Sequence, residues 1–574
     1  MKKILLLSSV IGLIVCTAVL LPQVREMIMN FAARILHKEA STYQSWLQAL
    51  LGYAMGGICF ILFFDYCVFT RSGQALVQNV KQEIKDCLAE IDFRSFFKPV
   101  ILMSGVYALG ILTIIRANVS YLDDLGRAIQ GYRGWYGWSR YLSDFASFFV
   151  HGGGNITDIS PAPQLLAVFI LSVSSVLLTY VIGNGKITVV RLLASLPLGL
   201  SPYFLECLSF KIDAPYMALS VLASIVPFLF IARKKAFFFA SVVSLLIMCT
   251  TYQAASGIYP MIAVMLCFLD WNSRRKTVKE IAIFLGTAAF AFGFAMLIFK
   301  FFLMKPADYY TSTAMHSLSG FIPGTLNNIK NYALHLYHDF GFVWKTGIVL
   351  VLFFFILQSA YRSGYKKTVS VFVSILVLLI AFSLSNGLYM LLQNPMFLPR
   401  ALAGFGAFLS VISIYVVSGN KRIAMIAVLA LNWSLFIFAF SYGNALADQA
   451  RYAEFRITLL LRDLNALYPD RNKEDMTIQL ENSIDYAPTV KNIAKNYPLI
   501  ERLLPKRLEG DNCWDNCYFS EYFNYSLFKN SNIPDIMTSE KYIDYNSLNL
   551  PVVLNTYYHT IQSDGNRILV TLKH

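Results

Sequence analysis

The chain has 574 residues, of which 56% are hydrophobic and only 14% charged, with a mean hydropathy of +0.54. That balance excludes an ordinary soluble globular class and specifies a polytopic membrane protein solvated by membrane lipids. A net charge of +14 would suggest nucleic acid in a soluble chain, but here the basic residues punctuate apolar runs as cytoplasmic loop clusters do, so no nucleic acid is expected.

Lys2 and Lys3 precede the first run, 4–21, which lacks an A-x-A-like site and reads as an uncleaved helix rather than a signal peptide. Residues 22–46 are amphipathic, with Arg25, Arg34 and Lys38, and suit a surface-lying helix. Apolar runs follow at 47–70, 100–115, 164–182, 187–205, 215–231, 237–250, 258–271, 281–304, 347–361, 369–388, 401–418 and 423–440. With the first they predict an all-α polytopic membrane protein of about 11–13 transmembrane helices, the shorter runs resembling broken or re-entrant helices.

Basic residues collect in 71–98, at Lys186, Arg233, Lys234 and Lys235, at Arg274, Arg275, Lys276 and Lys279, at Arg362, Lys366 and Lys367, and at Lys421 and Arg422. If every run crosses, these all fall on one side, which is the cytoplasm. The opposite, periplasmic side receives outer loops 116–163 and 305–345, the segment around Lys211 and Asp213, the turn 393–400 and the tail. The membrane domain thus spans 1–441, and the polar, Asn- and Tyr-rich remainder, 442–574, predicts a small periplasmic α/β domain. It contains a helical pattern over 445–467 and strands at 552–562 and 567–572 around an Asp564-Gly565 turn. Cys513 and Cys517 share this polar region; in an oxidising compartment a local disulfide is expected, the alternative being two unpaired thiols.

Chemistry concentrates in the outer loop 121–163, where adjacent Asp123 and Asp124 precede Arg127, Arg133 and Arg140, with Trp135 and Trp138 interleaved and Asp158 further on. On a helix Arg127 lies one turn beyond both carboxylates, within reach of either. An interfacial helix with aromatics at the headgroups and arginines on lipid phosphate explains the aromatics and arginines, but not two neighbouring acids. A carboxylate held by arginine stays ionised near neutral pH and serves as a general base, while other arginines grip a departing phosphate and aromatic faces suit sugar rings. Glu206 and Asp213 flank Lys211 at the outer end of a run, as a site or as a mutually paired surface cluster. Arg400, after Pro399, suits a lipid phosphate or a snorkelling role equally. Lys305, Tyr309 and Tyr310 are weaker candidates for the sugar pocket. No cofactor is expected, and two adjacent aspartates are too few ligands to specify a divalent metal.

Three blocks, YLDDLGRAIQGYRGWYGWSRYLSD, SPYFLECLSFKIDAPYMALSVLASIVPF and NPMFLPR, resemble the Gtr-type serotype-converting glucosyltransferases of bacterial O-antigen, the glucosyltransferase II family, within the GT-C superfamily. The resemblance implies a GT-C-like fold in a bacterial inner membrane and an acidic catalytic base in the first large outer loop, hence Asp124 or Asp123. The substrate-binding candidates are Arg127, Arg133, Trp135, Trp138, Arg140, Asp158, Glu206, Asp213 and Arg400. It further implies a donor like undecaprenyl phosphate glucose, a lipid-linked O-antigen acceptor, and a flippase and a donor synthase as partner proteins. Two alternatives stay open: an O-antigen polymerase or ligase, and a polysaccharide flippase or transporter, whose site would lie at mid-membrane depth.

Overall fold

Inside a bilayer there is no water to bond the main chain, so an apolar run satisfies its own N–H and C=O groups by becoming a helix. In the computed structural model, which describes residues 62, 65–305, 314–317, 319–469, 477–509, 526–527 and 545–573, eight helices are long and apolar enough to cross a membrane. They are Ala162–Ile182, Lys234–Thr251, Gln253–Asn272, Val278–Leu303, Phe342–Tyr361, Lys367–Ser385, Pro399–Val417 and Arg422–Leu467. The chain is a multi-pass membrane protein. The runs 4–21 and 22–46, most of 47–70, and Tyr309, Tyr310, Cys513 and Cys517 lie outside the described residues.

Three predicted spans are not single straight helices. The run 100–115 divides at Ile111 into Phe97–Gly110 and Leu112–Ala117. The run 187–205 is a pair, Val189–Leu200 and Pro202–Ser209, bent by 60°. Pro202 has no N–H to continue the ladder, and the Ser201 hydroxyl caps the new helix by accepting from the Phe204 amide at 3.3 Å. The run 215–231 is Ala214–Ile225 tightening into a 3-10 turn at Val226–Phe230. The outer stretch 305–345, expected as a loop, contains the helix Phe321–Asp339.

The Pro399–Val417 helix forms the centre of the bundle, whereas Val278–Leu303 lies at its periphery with a mostly exposed, apolar surface. Gly406 lets the central helix pass close to the bend, because a Cβ there would meet the Pro197 carbonyl and the Ser201 hydroxyl. Continuous helix Arg422–Leu467 joins the predicted span 423–440 to the predicted helix 445–467, so the expected boundary at 441 falls inside one element.

Beyond that helix lie β1 (Thr477–Glu481), β2 (Ser526–Leu527), β3 (Val552–Asn555), β4 (His559–Ser563) and β5 (Arg567–Leu572). Their sheet has the order β2-β1-β5-β4-β3, with β1 parallel to β2 and β5, and β3, β4 and β5 antiparallel in sequence. The hairpin around Asp564-Gly565 matches expectation, while the strand expected over 552–562 is divided into β3 and β4. Ile478, Ile561, Ile568 and Val570 pack on Ile457, Leu460 and Leu464 of the long helix. The segment between β1 and β2 behaves differently: Val490, Ile500 and Leu503 are buried in the same core as Leu205 and Leu402 of the membrane part.

Candidate active site

Helix direction gathers the polar side chains at one end of the bundle. From Asp213 the chain descends through Ala214–Ile225 to the basic Arg233, Lys234 and Lys235, then returns through Lys234–Thr251 to Tyr252 and Gln253. Asp213, Tyr252 and the start of the Ala162–Ile182 helix therefore share the end remote from that basic loop, and the outer loop covers it.

Within the outer loop, Asp124–Gln130 forms a short helix that ends at Gly131, whose φ of 70° and packing against Asn155 leave no room for a Cβ. Arg127 projects from it into the protein and is buried. Its Nη2 lies 2.9 Å from Asp123 Oδ2, the one-turn pair expected from the spacing, and its Nη1 lies 2.8 Å from Asp213 Oδ2. The guanidinium stacks 4.5 Å from the centroid of Trp135, whose indole N–H donates to the other oxygen of Asp213. Burial works against the Arg127 charge, but Asp213 and Asp123 outweigh it and raise its pKa further, so the cation persists.

The two adjacent carboxylates have different surroundings. Asp124 is 1% exposed and is held by main-chain amides: Lys211 at 2.8 Å, with Tyr121 and Ile212 at 3.3 Å. Burial lifts its carboxyl well above the usual carboxylate range, and the Asp123 and Asp213 charges add to this. Asp123 keeps 19% of its side chain accessible. Burial lifts its pKa too, against the pull of Arg127. Asp124 thus ties the outer loop to the Lys211 segment, and Asp123 is the member that faces outward.

Beside this cluster, Glu206 on Pro202–Ser209 accepts from Arg400 Nη1 at 3.1 Å and from the Tyr121 hydroxyl at 3.2 Å, and also from the Arg400 amide. Tyr121 links the two clusters, its amide bonding Asp124 and its hydroxyl Glu206. Arg400 keeps 22% of its side chain accessible. Arg140 joins it through Tyr252, whose ring lies 4.9 Å beneath the Arg140 guanidinium and whose hydroxyl donates to the Arg400 carbonyl at 3.3 Å.

Three candidates stand apart from these groups. Asp158 pairs with Lys211 at 3.1 Å; despite partial burial, the Ser160 hydroxyl and amide and Lys211 hold its carboxyl below the usual range. Arg133 faces Asp144 at 3.5 Å on a cavity of about 370 Å³ lined also by Tyr136, Tyr141 and Phe145. Trp138 lies at the surface, its carbonyl accepting from Gln253 at 3.1 Å. The sequence reading did not single out Tyr121, Tyr252, Gln253, Asp339 or Arg502, all of which contact these groups or their supports. Tyr252 and Gln253 closely follow an apolar run, where an aromatic-polar pair is a readable interface signal. Among the described residues, no three His, Cys, Asp or Glu side chains come together as metal ligands.

The Glucosyl transferase GtrII family model matches residues 112–416 of the chain, which includes both carboxylate clusters. The chain is also 26% identical over 416 residues to a Salmonella phage P22 protein described as an uncharacterized 55.3 kDa protein in the gtrB 5′ region; the match covers 69% of this chain and 84% of that protein. No solved structure matches.

Proposed function

Since the chain belongs to the GtrII glucosyl transferase family, we propose that it transfers a glucosyl group from a polyprenyl-phosphate sugar to a lipid-linked O-antigen repeat at the periplasmic face of the inner membrane. The observation that carries this reading is the Arg127 cluster, an accessible carboxylate beside a buried, doubly paired guanidinium at the bundle end remote from the basic loops. By the positive-inside rule those loops are cytoplasmic, which supports a periplasmic site and tail. A site at the end of the bundle supports a GT-C-type enzyme over a transporter, whose site would lie at mid-membrane depth.

In the proposed reaction an acceptor hydroxyl attacks the anomeric carbon of the donor and passes its proton to the Asp123 carboxylate. The bond from that carbon to the phosphate oxygen breaks, and the polyprenyl phosphate leaves with the electron pair. Arg400 and Arg140, joined through Tyr252, receive the departing phosphate by charge-assisted hydrogen bonds. Arg127 keeps Asp123 oriented, and Asp213 and Trp135 keep Arg127 in place.

Expression in cells making an unmodified O-antigen tests this reading by mass analysis of the lipopolysaccharide. One added hexose per repeat is expected. An unchanged repeat with the protein inserted and a polyprenyl-phosphate glucose pool present counts against it.

A further inference from the structure

The tail segment around Ile500–Leu503 touches the membrane part at several points, each adjoining a residue of the site. The Tyr121 hydroxyl that reaches Glu206 also contacts the Leu503 carbonyl, at 2.6 Å. Arg507 donates to the Ser120 carbonyl at 3.0 Å, at the threshold of the catalytic loop. Arg502 Nη1 lies 2.6 Å from Asp339 Oδ1, and its Nη2 donates to the Phe397 carbonyl, just ahead of Pro399 and Arg400. Asp339, itself buried, accepts from the Tyr203 hydroxyl at 2.8 Å, and Tyr203 lies one turn before Glu206 on the same short helix.

We infer that Arg502 is a positioning residue, a brace from the tail that sets Glu206 and Arg400 against each other. The two partners of the donor-side pair sit on separate elements, Pro202–Ser209 and the Pro399 turn. Arg502 spans both, through Asp339 and Tyr203 on one side and the Phe397 carbonyl on the other. A guanidinium fork can bond a carboxylate and a carbonyl at once in fixed geometry, which a lysine ammonium on a flexible stem does not reproduce. The tail thereby forms part of the wall of the site. This deepens the donor role proposed for Arg400 and rests on that reading.

The test compares Arg502→Lys and Asp339→Asn with wild type in membranes, at matched amounts of inserted protein. Kinetics with a polyprenyl-phosphate glucose donor are read beside amide hydrogen exchange of residues 119–124 and 397–402. For Arg502→Lys we expect faster exchange in both stretches and a rise of about tenfold in the donor KM, with the acceptor KM unchanged, less than the roughly 10²-fold that a full 1 Å misplacement can cost. Asp339→Asn should act in the same direction, and the double variant should be no worse than the more severe single one. A fall in maximal rate with both KM values unchanged would mean a merely structural anchor and would overturn the inference. Unchanged exchange in both stretches overturns it as well, whether or not sugar is transferred. If wild type transfers no sugar, the functional reading fails separately and the exchange result alone decides the brace.

Discussion

Asp213 and Arg127 meet at 2.8 Å although one stands at the start of the Ala214–Ile225 helix and the other lies on the outer-loop helix. Their contact ties the loop to the membrane part and places three carboxylates, Asp123, Asp124 and Asp213, around one cation. Burial, together with the Asp213 charge, favours proton uptake by Asp123 against the pull of Arg127 and Arg400.

The roles of the adjacent aspartates should separate on substitution. Asp123→Asn removes proton acceptance and is expected to lower turnover by about 10²–10⁴ while insertion and donor binding persist. Asp124→Asn places an amide where main-chain N–H groups already point, so it should reduce the amount of folded protein more than the rate per folded molecule. Transfer rates normalised to monodisperse protein in detergent distinguish the two.

The pH profile follows from the raised Asp123 pKa. A base works when deprotonated, so activity should be full above its folded pKa and fall as pH drops through it. Because burial raises that pKa, the acid limb should lie above the ordinary carboxylate value of about 4. Measuring kcat/KM against pH checks this, and an acid limb at or below the ordinary value would remove Asp123 as the base.

Removing Asp213 should cost more than neutralising it. Asp213→Ala takes away one of the two ion pairs of Arg127 and leaves the Trp135 N–H without its acceptor, for which about 3–5 kcal/mol of stability loss is expected. Asp213→Asn keeps an acceptor oxygen for one of the two donors and should lose less. Thermal unfolding in detergent gives the order.

Topology can be read with an impermeant maleimide on intact cells. Tyr557, 82% exposed beside β4, should label when replaced by Cys, whereas Lys235→Cys in the basic loop should not. Cys513 and Cys517 should label only after reduction if they are bridged. Labelling at Lys235→Cys without Tyr557→Cys would invert the orientation.

Much of this was legible before the structure. Apolar length and flanking charge located Ala162–Ile182 and Pro399–Val417 to within a few residues, because in lipid the backbone has few other choices. The helical spacing put Arg127 within reach of Asp123 or Asp124, and of the two it pairs with Asp123. What stayed hidden was long-range or concealed by uniform composition. The bend at Ser201 and Pro202 lies in an unbroken apolar run, and a hydropathy pattern does not register a change of direction. Glu206, Lys211 and Asp213 allowed a surface-cluster reading, but all three are buried, since their partners Arg400, Asp158 and Arg127 lie far along the chain. Arg502 and Asp339 gave no local sign of each other.

The 46-residue helix Arg422–Leu467 has a mechanical consequence. At about 1.5 Å per residue it is roughly 70 Å long, more than twice the hydrocarbon thickness of a bilayer. The sheet is therefore carried on a stiff mast that is one piece with a membrane span, and its distance from that span is set by residue count rather than by a slack tether. Inserting or deleting a few residues between Ser441 and Ala453 would rotate the sheet by about 100° per residue as well as shift it along the helix axis.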